Sequence, residues 1–301
     1  MDTSCFDYCL TEDEHREFEK NGFFIVENVL PPEMVKDLTT VVDRLDTQYR
    51  NTEVSPDQKM HGTIDPNRPP AELIGPYDRL NLMDFVGKDE IFLELLDWHK
   101  TFPKVWGILG WNIQLYHSHM TVTPPGPPDA GGAKKRLGWH QDSARLNAEL
   151  ETTPQPRISL KVAFFLTDTT EEGRGNFYVL PGSQLRKTPE FPPDGVSDPE
   201  EALAVKAPSG SAVFFDRRLW HSASPNYSNI PRKVLFYGYS YRWLRPRDDM
   251  TVDHFMERCD PIRQQLLGAS TGGHGYTSPT DEDVPLKLWL AEHLGEEAVA
   301  A

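Results

Sequence analysis

Residues 157–168 read RISLKVAFFLTD. In an extended chain alternate side chains point to opposite faces. One face of this stretch is Ile158, Leu160, Val162, Phe164 and Leu166, wholly apolar, and is expected in the core. The other face holds Ser159, Lys161, Ala163, Phe165 and Thr167. Two environments fit it. Lining a barrel interior, it makes Lys161 a buried cation able to hold an anionic group of a ligand. At a solvated strand edge, Lys161 is ordinary surface. Four further β-like runs accompany it: WNIQLYHSHMTV (111–122), GNFYVLPG (175–182), GSAVFFDRRLWHSA (210–223) and RKVLFYGYSYRWL (232–244). Turns rich in Pro and Gly separate them. Many short strands without intervening helices indicate a β-sandwich or barrel.

Outside this block the patterning changes. Thr11 and Glu14 have capping-box spacing at the head of a helix over 11–21, and Gly22 is a plausible stop. FFIVENVL (23–30) reads as a short strand. Pro31 and Pro32 open a helix over 32–48, with Val35, Leu38, Val42 and Leu45 on one face. Residues 50–80 are polar, Pro-rich and without a period, so they read as irregular. A helix is expected at 90–109, broken by Pro103. Beyond about 250 the chain returns to helix and loop. The expected class is mainly β with flanking helices, in one domain over 1–301. It comprises N-terminal helical decoration (about 1–109), a β core (about 110–245) and a C-terminal extension (246–301). Thr123–Lys134 and Pro189–Pro199 are long Pro/Gly breaks of the kind that form lids or binding loops.

The 301 residues carry 31 Lys+Arg against 46 Asp+Glu, a formal net charge of −15. That balance argues against nucleic acid and anionic membranes as main partners. It leaves open a small anionic ligand in a locally basic pocket. Three cysteines, Cys5, Cys9 and Cys259, make no disulfide framework. No stretch is long and apolar enough to span a bilayer, and the acidic N-terminus lacks signal-peptide character. The expectation is a cytoplasmic protein, a monomer or small homo-oligomer, acting on a small molecule.

The chemistry centres on GWHQD (138–142). On an extended segment His140 and Asp142 project together and can chelate one ion. His221, 81 residues later, ends another expected strand. Two histidines and a carboxylate on one face of a metal, with open positions opposite, form the facial triad of non-heme Fe(II) oxygenases. His117 and His119 share a strand face too and resemble the metal-binding pair of cupins. With His140 they would suit an isomerase or hydrolase. Arg232, 11 residues after His221, can reach the same pocket with a fork suited to a carboxylate. Trp139 and Trp220 each precede a candidate ligand, point away from it, and are expected in the core.

Four segments in order carry a resemblance: EFEKNGFFIVENVLPPEMV (17–35), GWHQD, GRGNFYVLPGSQ (173–184) and GSAVFFDRRLWHSASPN (210–226). With Arg232 at its offset from His221, the sequence resembles the phytanoyl-CoA dioxygenase family of Fe(II)/2-oxoglutarate-dependent oxygenases. The resemblance implies a double-stranded β-helix, a jelly-roll and cupin-like core. It implies Fe(II) held by His140, Asp142 and His221, with 2-oxoglutarate and O2 as cosubstrates and Arg232 on the C5 carboxylate. It points to His117 and Thr121 as further cosubstrate contacts. Ser222 or Ser224 would supply the hydroxyl that Ala223 lacks. Lys161, His119, Tyr77, Arg79 and Asn81 are candidate substrate contacts. The implied reaction is hydroxylation of an unactivated C–H with release of succinate and CO2. Desaturation, epimerisation and cyclisation use the same triad, and a non-catalytic metal-binding sensor or scaffold is the reading from another class.

Overall fold

A computed structural model describes residues 1–51, 74–127, 135–150, 152–272 and 279–300. Nine strands form two antiparallel sheets among these residues: β1 (Phe23–Val26), β2 (Leu80–Met83), β3 (Ile113–Thr123), β4 (Ser159–Phe165), β5 (Phe177–Val179), β6 (Leu203–Val205), β7 (Ser211–Asp216), β8 (His221–Ala223) and β9 (Arg232–Tyr241). The larger sheet has the order β1-β7-β4-β9-β3-β2 and the smaller β6-β5-β8. This is the mainly β architecture with flanking helices that the strand pattern implies.

β4 shows why its sequence has no polar face. Leu160, Val162 and Phe164 enter a core shared with the helices. Ala163 and Phe165 enter a second core with Phe177, Val179, Val213 and Phe215, between the two sheets. The larger sheet is therefore covered on both faces, and its strands read as continuous apolar runs. Lys161 sits on the inner face and is 3% exposed, which removes the solvated-edge alternative.

Helices cover the outer face. α1 (Glu12–Asn21) has the full Thr11–Glu14 capping box and ends at Gly22, φ 80°. A Cβ at Gly22 would meet Gln184 Oε1 at 2.5 Å, so both conformation and space demand glycine. α2 (Pro32–Arg50) buries Leu38, Val42 and Leu45. The helix expected over 90–109 is instead two pieces. A 3-10 turn covers Glu90–Leu95, and α3 runs Phe102–Leu109 with Pro103 in its first turn. Proline starts this helix rather than breaking it, because first-turn N–H groups need no intrahelical partner. Tyr237 and Tyr239 hydroxyls donate to Phe92 O and Leu96 O, both at 2.7 Å, and tie the 3-10 segment to β9.

The N-terminal region is more than decoration. It supplies both edge strands, β1 and β2, of the larger sheet. Residues 52–73 of the stretch expected to be irregular lie outside the described residues, but Leu80–Met83 is a strand. Four residues are too few to show a period, and β2 exists by pairing with β3 some forty residues on. Beyond the sheets come α4 (Ala144–Glu149), inserted after the His140 segment, and α5 (Asp253–Met256), α6 (Pro261–Leu266) and α7 (Pro285–Leu294). No described helix is long and apolar enough to cross a membrane.

A bulge in β3 decides what enters the interior. Leu115 pairs with Tyr239 but His117 pairs with Gly238, so Tyr116 is an extra residue. Before it, Ile113 and Leu115 face the helix-side core; after it, Met120 and Val122 do. The change of parity turns His117, His119 and Thr121 inward. Gly238 accommodates the bulge, since a Cβ there would lie 2.8 Å from Tyr116 Cε1 and 3.0 Å from His117 O. Gly238→Ala is expected to destabilise the fold by about 1–3 kcal/mol. Urea unfolding measures this, and an unchanged midpoint would show that the bulge has room to spare.

Candidate metal centre

His140 and His221 are held by backbone first. Each donates its N–H to the other's carbonyl, at 3.0 and 2.9 Å, in an isolated antiparallel bridge. Asp142 N donates to Arg217 O at 3.0 Å, so the whole segment runs against the β7–β8 connection. One ligand atom from each of His140, Asp142 and His221 lies within 4.8 Å of the others. Among the described residues this is the one group of three or more potential metal ligands.

The ring nitrogens are already sorted. His140 Nδ1 lies 2.9 Å from Gly138 O, and His221 Nδ1 lies 2.8 Å from Leu219 O. A carbonyl only accepts, so each Nδ1 carries the proton and each Nε2 keeps a lone pair for a metal. Burial, then the neighbouring His140, pushes His221 down to about 4, which keeps it neutral near pH 7. Burial opposes ionisation of Asp142, but Lys161 and the two histidines outweigh it and hold the carboxyl below its usual range. Lys161 Nζ donates to Asp142 Oδ1 at 3.1 Å. It is as near Oδ2, at 3.0 Å, but outside hydrogen-bond geometry there, so buried Oδ2 accepts no hydrogen bond. A carboxylate oxygen left bare beside two imidazole lone pairs is the donor set of a first-row divalent metal such as Fe(II).

Neighbouring polar groups brace the segment. Asn147 Nδ2 donates to Gln141 Oε1 and to Asp142 O, both at 3.1 Å, and buried Arg217 donates to Asn147 Oδ1. Part of the 189–199 loop braces the approach to His140, where Asp198 Oδ1 accepts from Leu137 N and Trp139 Nε1. Trp139 and Trp220 are half-buried rather than in the core, Trp139 with its indole N–H donated to Asp198 Oδ1. Of the 123–134 loop, residues 128–134 lie outside the described residues.

The triad opens into a cavity of about 570 Å³. Arg79, Asn81, His117, His119, Thr121, Lys161, Ser222 and Arg232 also line it. Tyr77 does not. It is 54% exposed, in a turn before β2 that faces solvent. Arg232, at the start of β9, is 3% exposed and stands 5.6 Å from the Phe165 ring. Its Nε is buried without a partner, and no hydrogen bond or ion pair to its guanidinium occurs among the described residues. Burial, then the charge of Arg79, pushes it down to about 9. Thr121 Oγ1 donates to Asn81 Oδ1 at 3.0 Å. His117 and His119 do not gather as a cupin-type metal group. His117 Nδ1 bonds Asp248 at 2.7 Å, and its Nε2 lies 3.1 Å from His119 Nδ1.

Several lining residues carried no recognisable sequence signal. Arg247 comes from the segment after β9 and Met83 from the short edge strand, while Asp248, next to Arg247, lies outside the lining and bonds the lining His117. RPRDD (245–249) is visibly charged, but nothing local says that it returns to a histidine some 130 residues earlier.

A family model for Phytanoyl-CoA dioxygenase (PhyH) matches residues 18–234. A probable alpha-ketoglutarate-dependent hypophosphite dioxygenase of Stutzerimonas stutzeri is 30% identical over 147 residues, 44% of this chain and 46% of that protein. Dioxygenase af480 of Aspergillus fumigatus is 30% identical over 120 residues, 38% of each. The chain thus spans less than half the length of these relatives. EctD from S. alaskensis with bound Fe superimposes with TM-score 0.56 at 18% identity, over 79% of this chain and 80% of that one. The epimerase SnoN in complex with Fe3+, alpha ketoglutarate and nogalamycin RO gives 0.55 at 17%, over 80% and 88%. HygX from Streptomyces hygroscopicus with nickel and 2-oxoglutarate gives 0.54 at 16%, over 79% and 90%. At these identities the structural likeness establishes the fold.

Proposed function

The chain belongs to the phytanoyl-CoA dioxygenase family of non-heme iron, 2-oxoglutarate-dependent oxygenases, and on that premise we propose that it oxidises an unactivated C–H of a small molecule, with hydroxylation as the outcome. One observation carries the reading furthest. A buried arginine without a counter-anion, Arg232, shares a cavity with a triad whose carboxylate has a bare oxygen. A cation and a dianionic cosubstrate would satisfy both.

His140, Asp142 and His221 would hold Fe(II) by two Nε2 atoms and a carboxylate oxygen. When bound, iron and 2-oxoglutarate supply the oxidising power: O2 is consumed, the cosubstrate becomes succinate and CO2, and one oxygen atom is left for the substrate. The protein's own contribution is placement. Arg232 receives the C5 carboxylate, and Arg79 adds positive charge close enough to depress Arg232. Arg79 therefore belongs with the cosubstrate end rather than with the substrate. Thr121 and Ser222 also line the cavity and would serve the cosubstrate as hydroxyl contacts. Lys161 pairs with Asp142 and orients it, so its charge is largely balanced within the site while it still lines the cavity. Phe177, Phe215 and Phe236 give the cavity apolar walls that limit water.

Anaerobic addition of Fe(II) and 2-oxoglutarate should produce a weak visible charge-transfer band. Admission of O2 with a substrate should yield succinate and a product heavier by one oxygen. Product lacking that oxygen would reassign the outcome to desaturation, cyclisation or epimerisation. No band and no succinate would refute the oxygenase.

A further inference from the structure

His117 and His119 belong to no metal group among the described residues, yet both line the cavity. Asp248 Oδ2 accepts Ser118 N–H at 2.6 Å, and Oδ1 lies 2.7 Å from His117 Nδ1. A carboxylate in that position accepts, so His117 Nδ1 carries the proton. His117 Nε2 then holds a lone pair. Arg247 Nη1, which can only donate, points at that nitrogen from 3.4 Å and enforces the same assignment. His119 Nδ1 lies 3.1 Å from His117 Nε2 and must therefore be the donor between them. Burial pushes both histidines down, so neither takes a second proton near neutral pH. Every proton in the row is placed, and the row ends on His119 Nε2 as a bare lone pair. That nitrogen makes no hydrogen bond among the described residues, and the ring is the half-buried member of the pair. Stacking fixes the ring. His119 lies 5.1 Å from His117 at 22° and 4.2 Å from Phe236 at 9°. Met83 and Phe236 pair with it across the sheet, so its flanks are apolar.

We propose that His119 Nε2 is a hydrogen-bond acceptor of fixed polarity, set by Asp248 through His117, and that the substrate presents a hydroxyl or N–H donor to it. His119 is then a binding residue, and His117 and Asp248 are positioning residues. The proposal rests on the cavity being the substrate site of an oxygenase. Its chemistry is selective in one direction. An alcohol, amide or ammonium group is accepted, whereas an ether or carboxylate oxygen would set lone pair against lone pair in an apolar surround.

The test reads proton position and preference separately. In full-length protein labelled with 15N-histidine, metal-free and zinc-loaded, His119 Nε2 should resonate as an unprotonated nitrogen and Nδ1 as a protonated one. In Asp248→Asn combined with Arg247→Met, which removes the donor facing His117 Nε2, the Ser118 N–H keeps the amide oxygen and turns the amide NH2 toward His117. The row should then reverse, and His119 Nε2 should become protonated. Candidate substrates are assayed by succinate release as alcohol and methyl-ether pairs. The alcohol is expected to win by roughly tenfold or more in kcat/KM. His119→Leu should erase that preference, and His119→Gln, which can still accept, should retain part of it. These two variants serve if the Asp248→Asn/Arg247→Met protein does not fold. A protonated Nε2 in the wild type, or equal use of alcohol and ether, overturns the proposal. If no charge-transfer band or succinate forms, the oxygenase reading falls, and the nitrogen shifts still decide the polarity on their own.

Discussion

Asp142→Ala is expected to eliminate the Fe(II)/2-oxoglutarate band and to lower succinate formation by ~10³-fold or more, since it removes one of the three proposed metal donors and, among the described residues, the only carboxylate lining the cavity. It should also destabilise the metal-free protein. Lys161 is 3% exposed, and Asp142 is its ion-pair partner. Removing one member of a buried pair leaves an uncompensated charge, at a cost of about 3–5 kcal/mol. The double variant Asp142→Ala/Lys161→Met separates the two effects. Urea unfolding should show most of the stability restored, because the orphaned ammonium is gone. The band and turnover should stay absent, because the donor set is still incomplete. Recovery of activity in the double variant would mean that Asp142 serves Lys161 and not a metal.

Arg232→Met should have opposite effects on stability and function. In the protein without cosubstrate, a buried guanidinium with no counter-anion among the described residues is a cost. Burial and the charge of Arg79 hold its folded pKa down at about 9, below the ordinary arginine value of the unfolded chain. A cation with a depressed pKa penalises the folded state in full at every pH below about 9, and the penalty fades as pH rises above that toward the ordinary arginine value. Methionine keeps the packing on Phe165 without the charge. The ligand-free variant should gain about 1–4 kcal/mol in urea unfolding. Its affinity for 2-oxoglutarate should fall by roughly 100-fold or more. The wild type should instead be stabilised by 2-oxoglutarate. Arg79→Ala should weaken the cosubstrate by a smaller factor, about tenfold, since Arg79 keeps solvent contact. A less stable Arg232→Met would show that the guanidinium has an internal partner. An unchanged cosubstrate KM would place the carboxylate elsewhere.

Reading the site from sequence depended on spacing that backbone geometry translates directly. His140 and Asp142 are two apart on an extended segment, and period-two alternation put them together without tertiary information. His221 and Arg232 were legible by offset from family-like segments. Lys161 was ambiguous, because alternation assigns a face but not what covers it. Pro103 misled because a proline marks a helix start and a helix break with the same residue.

Local residue chemistry alone determined the β class, the capped helix at Thr11 and the pairing of His140 with Asp142, because each rests on neighbours within a few positions. Only the tertiary structure decided the rest. The Tyr116 bulge reverses which residues of β3 face inward, against the naive alternation. Pairing between distant strands brings Arg232, Arg79 and the triad into one cavity. Asp248 reaches His117 across 131 positions and places the protons of two histidines. Such contacts follow from how sheets close and chains return. That depends on the summed packing of the whole core and not on any short stretch of sequence.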